Sequence, residues 1–251
     1  MIEIILVISL GIIIGSFLNV CIFRIPNEES ISYPPSHCTI CEHKLRILDL
    51  IPIISYIFLK GRCKYCGKKI SIQYPVIEII NAILYFTFVN KYGLTLLSLK
   101  YCIMASILIV IAVIDLKTQY VYSSVILTGG ICGLLCIIGQ LYINKQSIIT
   151  YFMGALIAFI IIGLIVVISH GMGEGDIEIA AMCGLFLGVK GILLTLFLSI
   201  VIGGIVGIIL LLFKLRNIKD EISFGPCLAI GALVSALFGN ELINLYLSLF
   251  I

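Results

Sequence analysis

The sequence predicts an all-α polytopic membrane protein, with about eight transmembrane helices and a small cytoplasmic zinc-binding loop domain. Three observations predict it. Of the 251 residues, 61% are hydrophobic and 12% charged, and the mean hydropathy is +1.24, values far from those of an ordinary soluble domain. The apolar residues form continuous runs, most of them near the ~20 residues that cross a hydrocarbon core, without the alternation of a β-barrel strand. One long polar segment, 24–74, interrupts them and carries two Cys-x-x-Cys pairs. The net charge of +3 is too small to argue for a nucleic-acid partner.

The apolar runs fall at about 2–23, 75–90, 94–114, 120–143, 148–169, 177–189, 190–213 and 226–250. The first resembles a signal peptide only in position. Glu3 stands where a basic region should be, no small-residue cleavage site follows, and positive charge comes after the run. A retained helix with its N-terminus outside is expected. The sixth run is short, and its division from the seventh is set at Val189-Lys190-Gly191. The pairs Gly11/Gly15, Gly129/Gly133 and Gly203/Gly207 let helix backbones approach closely, and are read as packing positions.

Eight spans put both termini on one side, and basic residues decide which. Segments assigned inside hold Arg24, Lys44, Arg46, Lys60, Arg62, Lys64, Lys68, Lys69, Lys117, Lys214, Arg216 and Lys219. Those assigned outside hold only Lys91, Lys100, Lys145 and Lys190. Basic loops stay in the cytoplasm, so both termini are expected outside. The expected division is a first transmembrane helix at 1–23, a cytoplasmic loop domain at 24–74 and a seven-helix membrane domain at 75–251.

Within the loop, Cys38-x-x-Cys41 and Cys63-x-x-Cys66 are separated by 42–62, slightly more than the usual span between the halves of a four-cysteine zinc site. Each pair is a chelating knuckle. Two complete a closed tetrahedral thiolate shell, which makes structural zinc the expected occupant. Gly67 and Lys68 suit the tight turn of the second knuckle. A reducing compartment disfavours disulfides, and two matched pairs argue against a redox dithiol. His37 and His43 flank the first pair as alternative ligands. The remaining cysteines, Cys21, Cys102, Cys132, Cys136, Cys183 and Cys227, lie in apolar runs and read as small packing residues.

Two aspartates carry the candidate chemistry. Asp115 ends the run Ile-Leu-Ile-Val-Ile-Ala-Val-Ile, and Asp176 closes His170-Gly-Met-Gly-Glu-Gly-Asp176 before another apolar stretch. An ionised carboxylate at membrane depth costs a few kcal/mol or more, so it reads as functional by default. Two that meet share one proton, and then offer a base and an acid together, the arrangement that activates water for peptide hydrolysis. The orientation puts both at the cytoplasmic face and at similar depth. Alternate glycines where a membrane helix ends free the backbone and let a substrate strand approach without a Cβ in the way. A phosphate-cradling loop would need a βαβ unit, which the pattern lacks. Glu174 and Glu178 are further acids beside Asp176, with Glu174 expected to face cytoplasmic water.

In this order the motifs resemble the type IV prepilin peptidases, the leader peptidases and N-methyltransferases of pilus, competence and type II secretion systems. The resemblance covers nearly the whole chain. It rests on Gly15-Ser-Phe-Leu-Asn-Val-Cys-Ile-Phe-Arg-Ile-Pro26, the paired knuckles, and Ile51-Pro-Ile-Ile-Ser-Tyr-Ile-Phe-Leu-Lys-Gly-Arg-Cys63 between them. Ile70-Ser-Ile-Gln-Tyr-Pro-Val-Ile-Glu78 and Ile114-Asp115-Leu116 follow. Last come Gly173-Glu-Gly-Asp176 with Gly184 and Leu187-Gly188 downstream, and Phe224-Gly225-Pro226. It implies Asp115 and Asp176 as the catalytic pair, with Gly173, Glu174 and Gly175 as the supporting motif. It also implies Cys38, Cys41, Cys63 and Cys66 as zinc ligands. The implied setting is a bacterial cytoplasmic membrane, and the implied partners are prepilin or pseudopilin substrates and the lipid bilayer. A methyltransferase activity would use S-adenosylmethionine, for which no binding motif can be read. Two departures bear on substrate fit: Val121-Tyr122-Ser123 stands where the family usually has Ile-Pro before Asp or Asn, and Glu178 where Lys is common.

Two other readings explain part of the pattern. A proton- or cation-coupled transporter would also use paired intramembrane acids and glycine-broken helices. Its acids belong at the midplane rather than one end, and no inverted repeat is evident. A membrane scaffold with a zinc-ribbon docking loop accounts for the cysteines and leaves the aspartates unexplained.

Overall fold

The computed structural model describes residues 2–144, 148–169, 172–213 and 223–250. Lys145, His170, Gly171, Lys214, Arg216 and Lys219, which bear on the expected orientation and the glycine motif, lie outside the described residues. The chain forms two compact units, Met1–Gly93 and Leu94–Ile251. Among the described residues the regular structure is helical, with two isolated β-bridges and no strand.

The first unit contains α1 (Ile2–Arg24), a loop with a short α2 (Ile54–Phe58), and α3 (Gln73–Tyr92). Helices α1 and α3 pack through the first glycine pair. A Cβ on Gly11 would lie 2.7 Å from the Ala82 Cα, and one on Gly15 2.7 Å from the Glu78 Cα. Two asparagines tie the pair together. Asn81 donates to the Gly11 carbonyl at 2.7 Å, and Asn19 donates to the Tyr74 carbonyl at 3.1 Å. These contacts place α3 in the first unit. The first compact unit ends at Gly93, one residue past the end of α3.

The second unit contains α4 (Leu96–Thr118), α5 (Ser123–Asn144), α6 (Ile149–Ser169), α7 (Glu174–Leu212) and α8 (Gly225–Phe250). Helix α4 starts on a capping box, with Thr95 accepting from the Ser98 amide and Ser98 from the Thr95 amide. It ends where Gln119 turns left-handed at φ 54°. Gly129 of α5 lies against Met182, and Gly133 against the Phe186 ring. Gly203 meets the Phe224 ring.

Six of these helices, α1 and α4 to α8, are long and apolar enough to cross a membrane. Helix α7 is broken at Gly188 (φ 69°, ψ −176°), which separates 174–187 from 189–212. The break falls one residue before the expected boundary at Val189. With α3 and the two parts of α7, the eight apolar runs each have a helical segment. Close approach explains the break. A Cβ on Gly154 of α6 would lie 2.7 Å from the Gly188 carbonyl carbon, and one on Gly184 would lie 2.5 Å from the Ala155 nitrogen.

One basic residue corrects the charge map. Lys100, expected in an outside segment, sits in α4 and is buried. Its ammonium donates to Gln140 and to the Tyr151 hydroxyl, each at 3.4 Å, and lies 4.5 Å from the Tyr151 ring centroid. It is a packing cation rather than a topological signal.

Candidate active site and metal cluster

Asp115 lies in the last turn of α4, and Asp176 in the first turn of α7. Both are buried, and both line one cavity of about 370 Å³. Each carboxylate is held by a helix N-terminus, where amides lack intrahelical acceptors. Asp176 Oδ2 accepts from the Gly173 amide at 3.2 Å and so caps its own helix. Asp115 Oδ2 accepts from the Gly225 amide at 3.0 Å, at the start of α8. The Ser223 hydroxyl donates to the Asp115 main-chain carbonyl at 2.9 Å. Gly225 has no room for a side chain, since a Cβ there would lie 2.6 Å from Asp115 Oδ2.

The two described glycines beside Asp176 differ from each other. Gly173 has an extended backbone (φ −76°, ψ 151°) that any residue adopts, and a Cβ there would meet nothing closer than 3.9 Å. Gly175 is helical and is small because Val121 presses on it, 2.6 Å from where its Cβ would be. Val121, Ser123 and Glu178 line the cavity, so the departures from the family pattern border the candidate site. Tyr122 instead packs edge-on against Tyr120, at 5.0 Å between centroids. Glu174 is exposed at the cavity wall. Ser223 and Gly225 bond Asp115 from a segment whose sequence pattern, Phe224-Gly225-Pro226, carries no sign of that role.

The loop brings Cys38, Cys41, Cys63 and Cys66 together, with their sulfurs all within 4.8 Å of one another, an arrangement that can hold a metal ion. The two knuckles are the same turn built twice. The Cys38 amide donates to the His43 carbonyl at 3.0 Å and the Glu42 amide to the Cys38 carbonyl at 2.8 Å. The Cys63 amide donates to Lys68 at 2.8 Å, and the Gly67 amide to Cys63 at 2.9 Å. Each turn needs a left-handed residue four after its first cysteine, Glu42 (φ 56°) in one and Gly67 (φ 69°) in the other.

Burial works against the Cys38 thiolate, but the backbone amides of Cys41 and Ile40 and bonds with neighbouring thiols outweigh it. They bring that thiol down to about 7, while at Cys41 the His43 amide is outweighed by burial and by the bonds with Cys38 and Cys66, which push that thiol up to about 11. Amides aimed at a sulfur prepare it to bind metal as thiolate. The histidines are placed elsewhere. His37 Nδ1 is bonded to the Pro35 carbonyl, and the His43 ring stacks on Tyr65 at 3.7 Å. The Tyr65 hydroxyl then donates to Asp49, which also accepts from the Arg46 amide. The other six cysteines form no disulfide and are buried or half-buried, as packing residues would be.

Residues 9–92 match the family model described as the bacterial peptidase A24 N-terminal domain, and residues 102–208 that of the type IV leader peptidase family. A protein of Bacillus subtilis named prepilin leader peptidase/N-methyltransferase is 32% identical, over 95% of this chain and 96% of its own length. Proteins of that name from Xanthomonas campestris and Neisseria gonorrhoeae are each 30% identical, over 95% and 88% of this chain and 92% and 86% of their own. No solved structure matches the chain significantly.

Proposed function

The chain belongs to the type IV leader peptidase family, and from that membership we propose a two-step activity. It cleaves the leader peptide from type IV prepilins or pseudopilins as an aspartyl endopeptidase, and it N-methylates the new N-terminus. The observation that carries the first step is the shared cavity of Asp115 and Asp176. Two carboxylates separated by sixty residues of chain face one space, each steadied by a helix-end amide.

Glycine amides hold Oδ2 of each aspartate, and we assign the other carboxyl oxygens to the reaction. One carboxyl is ionised and one protonated, because two adjacent charges in apolar surroundings are expensive. The ionised one takes a proton from water as the water oxygen attacks the scissile carbonyl. The protonated one donates to the developing oxyanion, and a proton then passes to the leaving amine as the carbon–nitrogen bond breaks. The pair titrates as a unit, so neither member is named as the fixed base.

We assign zinc to the four cysteines. Their sulfurs form one compact cluster of soft donors with no place reserved for a reacting ligand, the composition of a structural site. Bound there, the ion would join the two knuckles and fix the loop. The methyl donor in this reading is S-adenosylmethionine. The basic residues of the described loops support a cytoplasmic placement of the 24–74 segment and of the aspartates, with both termini outside.

The test is incubation of the purified, reconstituted chain with a prepilin and methyl-labelled S-adenosylmethionine. The expected product is a shortened pilin carrying label on its new N-terminus. An uncut prepilin overturns the proposal, and an unlabelled cut product removes the methyltransferase half alone.

A further inference from the structure

The loop between α1 and α3 exposes large apolar side chains outside any membrane-spanning helix. Ile47 and Leu48, in a 3₁₀ turn at Ile47–Leu50, are 85% and 75% exposed. In α2, Ile54, Ile57 and Phe58 are exposed, Phe58 to 82%. Their spacing of three and four residues puts them on one helix face. The turn and α2 touch each other, so these side chains belong to one local structure.

That structure is held firmly from behind. The Ile53 amide donates to Glu78 Oε2 of α3 at 2.8 Å, and Tyr56, on the other side of α2, reaches the Ile70 carbonyl at 3.5 Å. The 3₁₀ turn is fixed by Asp49, which accepts from Tyr65. Exposure of the apolar face is thus built in, not a loose end. The same stretch, 44–64, carries exposed Lys44, Arg46, Lys60, Arg62 and Lys64 against the single acid Asp49.

An exposed apolar face with exposed cations on either side of it in the sequence, of which Lys64 pairs with Asp49 at 4.0 Å, is the chemistry of a segment that lies in the interface of an anionic bilayer. The loop also starts on α1 and ends on α3, both read as membrane helices, and so it stays within reach of the surface. We propose that the 44–64 segment seats on anionic lipid, with Ile54, Ile57 and Phe58 inserted below the headgroups and Arg46, Lys60 and Arg62 on lipid phosphates.

The chain has no tryptophan, so Phe58→Trp introduces a unique fluorophore at a site exposed enough to accept it. The full chain carrying F58W is reconstituted in vesicles of phosphatidylglycerol and phosphatidylcholine, with Ile57→Trp as a second reporter on the same face. The expected result is a blue-shifted emission, strongly quenched by acyl-brominated lipid and shielded from aqueous iodide. Adding Arg46→Gln and Lys60→Gln, or using phosphatidylcholine alone, should return much of the emission to iodide. Two results overturn the proposal. Quenching by iodide and not by bromolipid in anionic vesicles would put the face in water. Protection from both quenchers would put it against protein, of this chain or another.

Discussion

The four cysteines lie within 28 positions of one another, and each half of their cluster is closed by hydrogen bonds inside its own turn. The aspartate cavity draws on three separate segments, the end of α4, the start of α7 and the entry to α8, and one of its bonds spans 110 positions. The cysteine site is partly exposed and made of matching turns. The aspartate site is buried and made of helix ends that only packing brings together. The difference teaches where each is vulnerable. A local cluster fails mainly through its own residues, whereas the cavity is exposed to any change that moves α8 against α4.

The largest expected effect breaks the cavity and spares the cluster. In the proposed mechanism Asp115→Asn and Asp176→Asn each remove half of the acid–base exchange, and each should lower prepilin cleavage by on the order of 10³-fold or more. Metal content should stay at that of the parent chain. Glu174→Gln, at an exposed position on the wall, should be far milder. Substantial turnover by either asparagine variant would sink the aspartyl assignment, and complete loss in E174Q would transfer the role to that acid.

Next in size is Gly225→Ala. The new Cβ would fall 2.6 Å from Asp115 Oδ2, so the carboxylate or the start of α8 must shift by about 1 Å. A misplacement of that size costs about 10²-fold in rate. The loss should appear in kcat with KM little changed, because the substrate's binding surface is left in place. Unchanged kcat would show that Asp115 does not depend on the α8 amide.

How much of this was legible follows the same division. The knuckles were readable because ligand spacing is a local property, and Gly67 pointed to the turn. Asp115 and Asp176 stood out because carboxylates are costly in apolar runs, although nothing local said that they share a cavity. Ser223 and Gly225 could not be given a role, since the contact that defines it crosses most of the second unit. The Gly154–Gly184 approach was legible in part, since Gly184 and Gly188 form a small-xxx-small pair, but the pair does not say which helix its glycines face, and here that is α6. Lys100 misled for a related reason: a lysine near a helix start looks like a loop cation until tyrosines and Gln140 are seen around it. The alternate glycines before Asp176 suggested a backbone freed from helical geometry and open to a substrate strand. Gly175 turned out to answer to Val121, a neighbour that periodicity cannot reveal.

Third in size is loss of the metal cluster. Cys63→Ser removes a buried thiol from the shell, and should abolish stoichiometric zinc in metal analysis and leave the loop open to proteolysis. Cleavage should fall far less than in the aspartate variants, since a closed thiolate site takes no part in activating water. A fall as deep as that of D176N, in a chain still folded by circular dichroism, would tie the two sites together and erase the distinction drawn between them.

The smallest effect compares the two knuckles with each other. Both turns need a left-handed residue, but the second has Gly67 and the first has Glu42. A residue with a Cβ is disfavoured there by roughly 1–2 kcal/mol. Gly67→Ala tests that cost cleanly, because nothing lies within 4 Å of the added methyl. It should weaken zinc retention against a competing chelator by about 1 kcal/mol, roughly fivefold. Glu42→Gly should act in the opposite direction and by less, since glycine relieves the folded turn while loosening the unfolded chain. Neither change touches the aspartates, so cleavage by metal-loaded protein should be that of the parent. Equal and opposite shifts in zinc retention would mean that backbone strain alone separates the knuckles. Weaker retention in E42G would mean that the glutamate side chain contributes something the turn geometry does not, and that the two halves of the cluster are less alike than their hydrogen bonds make them.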